Sequence, residues 1–306
     1  MNILGKRYFF FALSLLIIIP GLVILFVKGM PLSIDFKGGT LLELEFSAGK
    51  APSSEIVKSV YDHAGIMDVQ IQQSGDNVLV LRSSALGSEV ENTIIADLKT
   101  QSQSDVVLRK ADTVSPSIGS GVAQRAVQAV LLAALAVVIY ITFAFRGLPH
   151  AFRYGVCAIA AMAHDVLIVL ALTGYGTIFF GWQVDSLYLT ALLTVIGFSV
   201  QDKIVVFDRI RENSGIYRKL EFETLANHSI IQTLQRSINT QLMTSEFFLL
   251  ALALFGGVTL REFAVILLVG LLSGTYSSIF IAAPLLVVWE KKEWQTWFHK
   301  KSTSQA

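Results

Sequence analysis

The chain has 306 residues, of which 53% are hydrophobic and only 15% charged, and its formal net charge is +1. With a mean hydropathy of +0.61, this composition excludes an ordinary soluble domain, and the absence of a concentrated basic patch argues against a nucleic-acid surface. It defines a polytopic membrane protein, whose single cysteine, Cys157, excludes an internal disulfide framework and reads as a small buried hydrophobe.

Lys6 and Arg7 precede an apolar run from Tyr8 to Val27 that is too long for a cleaved leader and reads as a retained anchor, with Pro20 expected to kink it. From Lys28 to about Ser120 the composition becomes that of a soluble module, roughly ninety residues and enough for a small core. Leu42, Leu44 and Phe46 alternate with Glu43 and Glu45 as in a half-buried strand, just after Gly38 and Gly39. Ile56, Val60 and Ala64 mark a helical stripe. Val69 and Ile71 alternate with Gln70 and Gln72, and the turn Ser74-Gly75-Asp76-Asn77 leads into Val78-Leu79-Val80-Leu81, which predicts a hairpin. A second helix is expected from a capping-box spacing at Ser88 to Glu91, with Val90, Ile94 and Leu98 as its apolar face, and Val106-Val107-Leu108 closes the pattern. The order is β-α-β-β-α-β, the split βαβ arrangement of a ferredoxin-like α+β domain.

Five further apolar spans follow: Val122–Phe145, Phe152–Thr173, Leu187–Phe207, the short Leu242–Gly257 carrying Glu246, and Phe263–Trp289. Tyr175 to Asp185 reads as a tight loop with Trp182 as an interface anchor. Ser214 to Asn239 mixes apolar and polar residues as an interfacial helix does. Lys6, Arg7, Arg146, Arg153, Arg209, Arg211, Arg218, Lys219, Lys291, Lys292, Lys300 and Lys301 all fall on one side of a six-span arrangement, which makes both termini cytoplasmic. The expected organisation is residues 1–28, the N-terminus and first span; 29–120, an extracytoplasmic α+β domain; 121–290, spans two to six with an interfacial segment 208–240; and 291–306, a basic cytoplasmic tail.

Chemistry concentrates in Val195 to Asn213, VIGFSVQDKIVVFDRIREN. A helix continuing through the apolar run before it carries Gln201, Asp202 and Lys203 to membrane depth, where ionisable groups mark an ion or substrate path. The other reading ends the helix at Gln201 and leaves Asp202 to Arg211 among headgroups. His164 and Asp165 lie near the middle of the third span, about 16 Å along from its end at the helical rise. A carboxyl there suits a proton relay, or glues helices by hydrogen bonding. His164 is placed to share the proton, although the preferred reading is a histidine satisfied by a neighbouring carbonyl. Lys203 is a candidate to neutralise a membrane carboxylate, but adjacent Asp202 points to a different helix face. Asp208, Arg209, Arg211 and Glu212 read as an interfacial salt-bridge network. Gly270 and Gly274 form a small-xxx-small pattern followed by Ser277 and Ser278, which predicts close packing within the bundle. No P-loop or paired metal spacing is present in the sequence, so no cofactor or metal is expected and any work must come from an ion gradient or a partner.

Several segments together resemble the SecD/SecF family of bacterial protein-export membrane proteins, on its SecF side: SIDFKGGT at Ser33 to Thr40, VSPSIG at Val114 to Gly119, AHDVLIVL at Ala163 to Leu170, the stretch through Asp208 to Asn213, and GTYSSIFIAAPLL at Gly274 to Leu286. The resemblance implies a six-span member of the resistance-nodulation-division superfamily in the bacterial inner membrane. Such a subunit pairs with SecD, docks near the SecYEG channel, and uses the proton-motive force to promote late steps in the movement of a translocating polypeptide, with YajC and membrane lipid as further partners. It makes Asp165 the intramembrane acid and Asp35, Gly38 and Gly39 part of a family motif. Where the family pattern carries Asn, Asp and a small hydroxyl residue, this chain has Gln201, Asp202 and Lys203. Half of a small-molecule or lipid exporter of the same superfamily, or a passive scaffold subunit, are the competing functions.

Overall fold

The structure, a computed structural model, describes residues 2–47, 50–146, 151–241 and 247–295. The chain separates into two compact units, Met30–Ala129 with Gly176–Leu189, and the remainder.

In the first unit, the short helix α2 (Ile34–Lys37) leads into β1 (Gly39–Phe46), α3 (Ser54–His63), β2 (Gln70–Ser74), β3 (Val78–Ser83), α4 (Ser88–Ser102) and β4 (Val106–Val114); α1 (Arg7–Lys28) precedes them in the other unit. The strands form one antiparallel sheet in the order β2-β3-β1-β4. Leu42 faces Leu81 and Leu44 faces Leu79 across the β1–β3 pair, so one side of the sheet supplies a continuous apolar layer. That layer closes with Val57, Val60 and Tyr61 of α3 and Ile94 and Leu98 of α4, all essentially fully buried. The alternation in β1 survives because one face packs on the helices while Glu43 and Glu45 turn away.

Two local expectations are corrected. The buried stripe of α3 is Val57, Val60 and Tyr61 rather than one through Ile56, because the i, i+3, i+4 set is what meets the sheet. Ser88 is the first helical residue of α4, with Gly87 at the N-cap and no side-chain cap, so the capping-box spacing makes no box; Val90 is also exposed. Trp182 is buried, stacks on Phe180, and lies where a side chain on Gly176 would meet its ring at 2.1 Å.

Among the described residues, five helices are long and apolar enough to cross a membrane: Leu4–Lys28, Pro116–Ala144, Ala151–Phe180, Ser186–Ile216 and Leu260–Glu290. They contain α1, α5 (Pro116–Ala144), α6 (Ala151–Phe180) and α7 (Ser186–Ile216), followed by α8 (Phe222–Gln241), α9 (Phe247–Phe255), α10 (Val258–Ser277) and α11 (Ala283–Glu290). Of the expected span Leu242–Gly257, residues 242–246 with Glu246 lie outside the described residues, as do Lys300 and Lys301 of the basic tail. The expected loop Tyr175–Asp185 is largely helical, because α6 continues to Phe180. Between α10 and α11 one turn, Ser278–Ala282, widens to π geometry. Pro284 cannot donate to the carbonyl four residues earlier, and the widened turn absorbs that missing bond. Pro20 lies inside an unbroken α1, and the carbonyl of Ile17 accepts a bond from Tyr175 Oη at 2.8 Å.

Candidate functional site

α7 does not end at Gln201: it runs unbroken from Ser186 to Ile216, with Asp202 7% and Lys203 0% exposed. Its Lys203 meets Asp165, which lies fourteen residues into the thirty-residue α6, near its middle. Asp165 is itself 0% exposed. Lys203 Nζ donates to Asp165 Oδ2 at 2.7 Å, to Ser199 Oγ at 2.6 Å and to the Ser199 carbonyl at 3.0 Å. The carboxylate is thereby enclosed by three helices. Oδ2 also accepts from Ser199 Oγ of α7 and Ser277 Oγ of α10, both at 2.7 Å. Oδ1 accepts from Ser273 Oγ of α10 at 2.7 Å and faces His164 Nδ1 at 3.1 Å.

Helical spacing builds this shell. Ser199 and Lys203 are four residues apart on one face of α7, and Ser273 and Ser277 are four apart on one face of α10. Asp202, one residue before Lys203, turns instead to α10 and accepts from Thr275 Oγ1 at 3.0 Å. Close approach of α7 and α10 depends on glycine: a Cβ on Gly270 would lie 2.2 Å from a methyl of Val195, and one on Gly274 would touch Ser199. Ser278, fully buried, returns its hydroxyl to the Thr275 carbonyl. The expectation for His164 is corrected, since its Nδ1 goes to Asp165 and not to a carbonyl, while its ring stacks on Tyr276 with centroids 6.0 Å apart. Tyr276 in turn donates to the Phe10 carbonyl of α1 at 3.0 Å.

Gln201 is not brought to this cluster. It is exposed and lines a groove with Ala136, Val137 and Tyr140 of α5. Asp208 pairs with Arg211 at 2.7 Å and Arg209 with Glu212 at 2.6 Å along the last turns of α7, and Arg209 Nε also reaches Gln232 of α8. Ser199, Ser273 and Thr275 escape sequence reasoning, although Ser199 four residues before Lys203 is a usable signal.

In the other unit, Asp35 caps α7. Its Oδ2 accepts from the backbone N–H of Ser186 at 2.9 Å and from Ser186 Oγ at 2.7 Å, where the helix leaves N–H groups unpaired. Asp185 Oδ1 takes the N–H of Tyr188 at 2.7 Å; burial, together with the like charge of Asp35, pushes the Asp185 carboxyl up. The arrangement needs the chain at Gly38 and Gly39 to lie close to its neighbours. Gly38 has φ +80° and a Cβ there would sit 2.6 Å from Pro116 Cα; Gly39 has φ +134° and its Cβ would sit 2.4 Å from the Ser83 carbonyl oxygen.

These features define a membrane protein whose helix bundle holds a buried carboxylate–ammonium pair with hydrogen bonds from three helices. Residues 94–292 match the model of "Protein export membrane protein SecD/SecF, C-terminal", and residues 23–50 match the SecD/SecF GG motif. The chain is 62% identical over 300 residues to the protein translocase subunit SecF of Anaerolinea thermophila, covering 98% of this chain and 97% of the relative. It is 42% identical to the SecF subunit of Thermobaculum terrenum, covering 100% and 99%. The crystal structure of SecDF from Thermus thermophilus, a translocon-associated membrane protein, aligns with TM-score 0.84 at 33% identity, over 95% of this chain and 39% of that one. A second SecDF structure, in a super-membrane-facing form, aligns with TM-score 0.68 over 97% and 39%. The chain therefore spans about two fifths of those solved chains, and it belongs to the SecF family of protein-export membrane proteins.

Proposed function

We propose that this chain is the SecF-type subunit of a protein-export complex, pairing with SecD at the SecYEG channel and using the proton-motive force to promote late steps of polypeptide translocation. The observation that carries this reading is the Asp165–Lys203 pair, buried among α6, α7 and α10 in a chain of this family. While Asp165 is ionised, Lys203 balances it. Once Asp165 takes a proton, the Lys203 cation faces a neutral acid in a medium that penalises unpaired charge, and α6 and α7 must repack or admit water. α7 carries both Lys203 and, about 26 Å away along its axis, Ser186 held by Asp35. Asp202 with Thr275 forms a second polar contact on the same helix, and Gln201, on the α5 side, suits a partner helix such as one from SecD.

The α+β domain is read as ferredoxin-like from its strand order, and as the extracytoplasmic residues 29–120. Six spans, with Leu242–Gly257 as the fifth and both termini cytoplasmic in the bacterial inner membrane, follow from the one-sided Lys and Arg distribution. YajC and membrane lipid are further partners of this reading, the basic tail 291–306 facing the cytoplasm. The test is Asp165→Asn in inverted inner-membrane vesicles. It is expected to assemble with SecD and to support ATP-driven export while losing the part stimulated by the proton gradient. Full gradient-stimulated export would leave Asp165 as helix-packing glue and favour the passive scaffold.

A further inference from the structure

The hydrogen-bond inventory of the buried pair leaves one opening for a proton. A carboxylate offers about four lone-pair sites, and Asp165 already receives Ser199, Ser277 and Lys203 on Oδ2 and Ser273 and His164 on Oδ1. Lys203 has three N–H groups, and three acceptors take them: Asp165 Oδ2, Ser199 Oγ and the Ser199 carbonyl. Neither group has a free valence toward water. His164 does. It is 92% buried, its Nδ1 faces Asp165 Oδ1, and its Nε2 is enclosed without a hydrogen-bond partner among the described residues. A buried polar nitrogen left in this way is destabilising unless a water reaches it. The serine hydroxyls touch Asp165 as well, but imidazole is the side chain whose ordinary titration falls between pH 5 and 8.

We propose that His164 is the proton port of the Asp165–Lys203 site, with Nε2 as the atom that takes a proton from water. This rests on the relay role of Asp165 given above. In the resting state Nδ1 carries the hydrogen, donated to ionised Asp165, and Nε2 is bare. A hydronium delivers its proton to Nε2, forming that N–H bond. The Nδ1–H bond then breaks and its proton bonds to Asp165 Oδ1, so the imidazole is again neutral, Asp165 is neutral, and the site goes from net neutral to one net positive charge because the unchanged Lys203 cation has lost its counter-charge. Return of the proton from Asp165 Oδ1 to Nδ1, with loss of the Nε2 proton, restores the resting tautomer. The ionisable groups around the imidazole are Asp165 on α6, Lys203 on α7 across the carboxylate, and the Tyr276 phenol of α10, whose ring stacks on the imidazole and whose hydroxyl is committed to Phe10. The stack holds the ring plane that points Nδ1 at Asp165.

The test reconstitutes the complex of this chain with its SecD partner in vesicles and follows proton uptake under an imposed pH gradient, from pH 5.5 to 8. His164→Gln retains an amide donor for Asp165 but cannot titrate. Its flux is expected to fall at least about a hundredfold, the lower end of the range for positioned acid–base groups, and to lose its pH dependence. His164→Ala should recover flux with added imidazole and not with pyrazole, which is of similar size but far less basic. Asp165→Asn should be inactive throughout. Wild-type flux and pH profile in His164→Gln, with Asp165→Asn inactive, overturns the port and leaves the relay standing; flux in Asp165→Asn overturns the relay itself. If the His164 variants do not assemble, the wild-type profile decides: an inflection in the histidine range supports the port, and a flat profile overturns it.

Discussion

Removing either half of the buried pair should hurt far more than removing both. Lys203→Met leaves Asp165 with its serine and histidine donors but no counter-charge at 0% exposure, and Asp165→Asn leaves the Lys203 cation equally enclosed. Breaking a buried pair by deleting one partner costs about 3–5 kcal/mol, whereas replacing both charges is often neutral. If the two sites were independent, the double variant would lose about 6–10 kcal/mol; with the pair as drawn it should lose no more than one single variant, a coupling of about 3 kcal/mol. The chain supplies its own reporter. Cys157 is its one cysteine and is 2% exposed, so a thiol-reactive dye labels it only on unfolding. In mild detergent each single variant should label about a hundred- to several-thousand-fold faster than wild type, and the double variant should return toward the wild-type rate. Additive effects, with the double variant labelling Cys157 faster than either single, would show that Lys203 and Asp165 are not partners in the membrane.

Two further outcomes follow from contacts outside the bundle core. Asp35→Ala removes both bonds to Ser186, worth about 1.5–3 kcal/mol each when the acceptor is charged, and should speed amide exchange in the first turn of α7, with Asp35→Asn intermediate; unchanged exchange at residues 186–189 would refute the cap. Glu223 of α8 is bonded by Lys291 and Arg7, and the Lys291 hydrogen bond foremost holds its carboxyl below the usual glutamate range. A depressed carboxyl stabilises above its unfolded pKa of about 4.3 and loses that contribution as pH falls through its lower folded value. Proteolysis of α8 should therefore rise on acidification below pH 4.3, less so in Glu223→Gln; identical pH curves for the two would contradict the network's role.

The α+β domain is legible because a two-residue alternation and a turn such as Ser74 to Asn77 are local signals that tertiary packing does not overturn. Its helix stripe and capping box misread for the converse reason: Ile56 and Val90 fit a helical spacing, but which face meets the sheet is set by β1 and β3. Buried charge at Asp165 and Lys203 is visible as ionisable residues in apolar runs. Their pairing is not, since they lie 38 positions apart on two helices, of which α7 is set against α10 at Gly270 and Gly274. Ser199 and Ser273 were hidden because serine in an apolar helix ordinarily bonds a carbonyl in its own preceding turn, as Ser277 also does with Gly274.

The central claim, that Asp165 takes up a proton while its bundle remains folded, is most directly read by infrared difference spectroscopy of the reconstituted complex with SecD. Acidifying the outer face should raise a band from a newly protonated carboxyl, absent in Asp165→Asn and shifted in Lys203→Met. The same band at full intensity in Asp165→Asn, or no carboxyl band in wild type across the pH range that supports gradient-driven export, would contradict it.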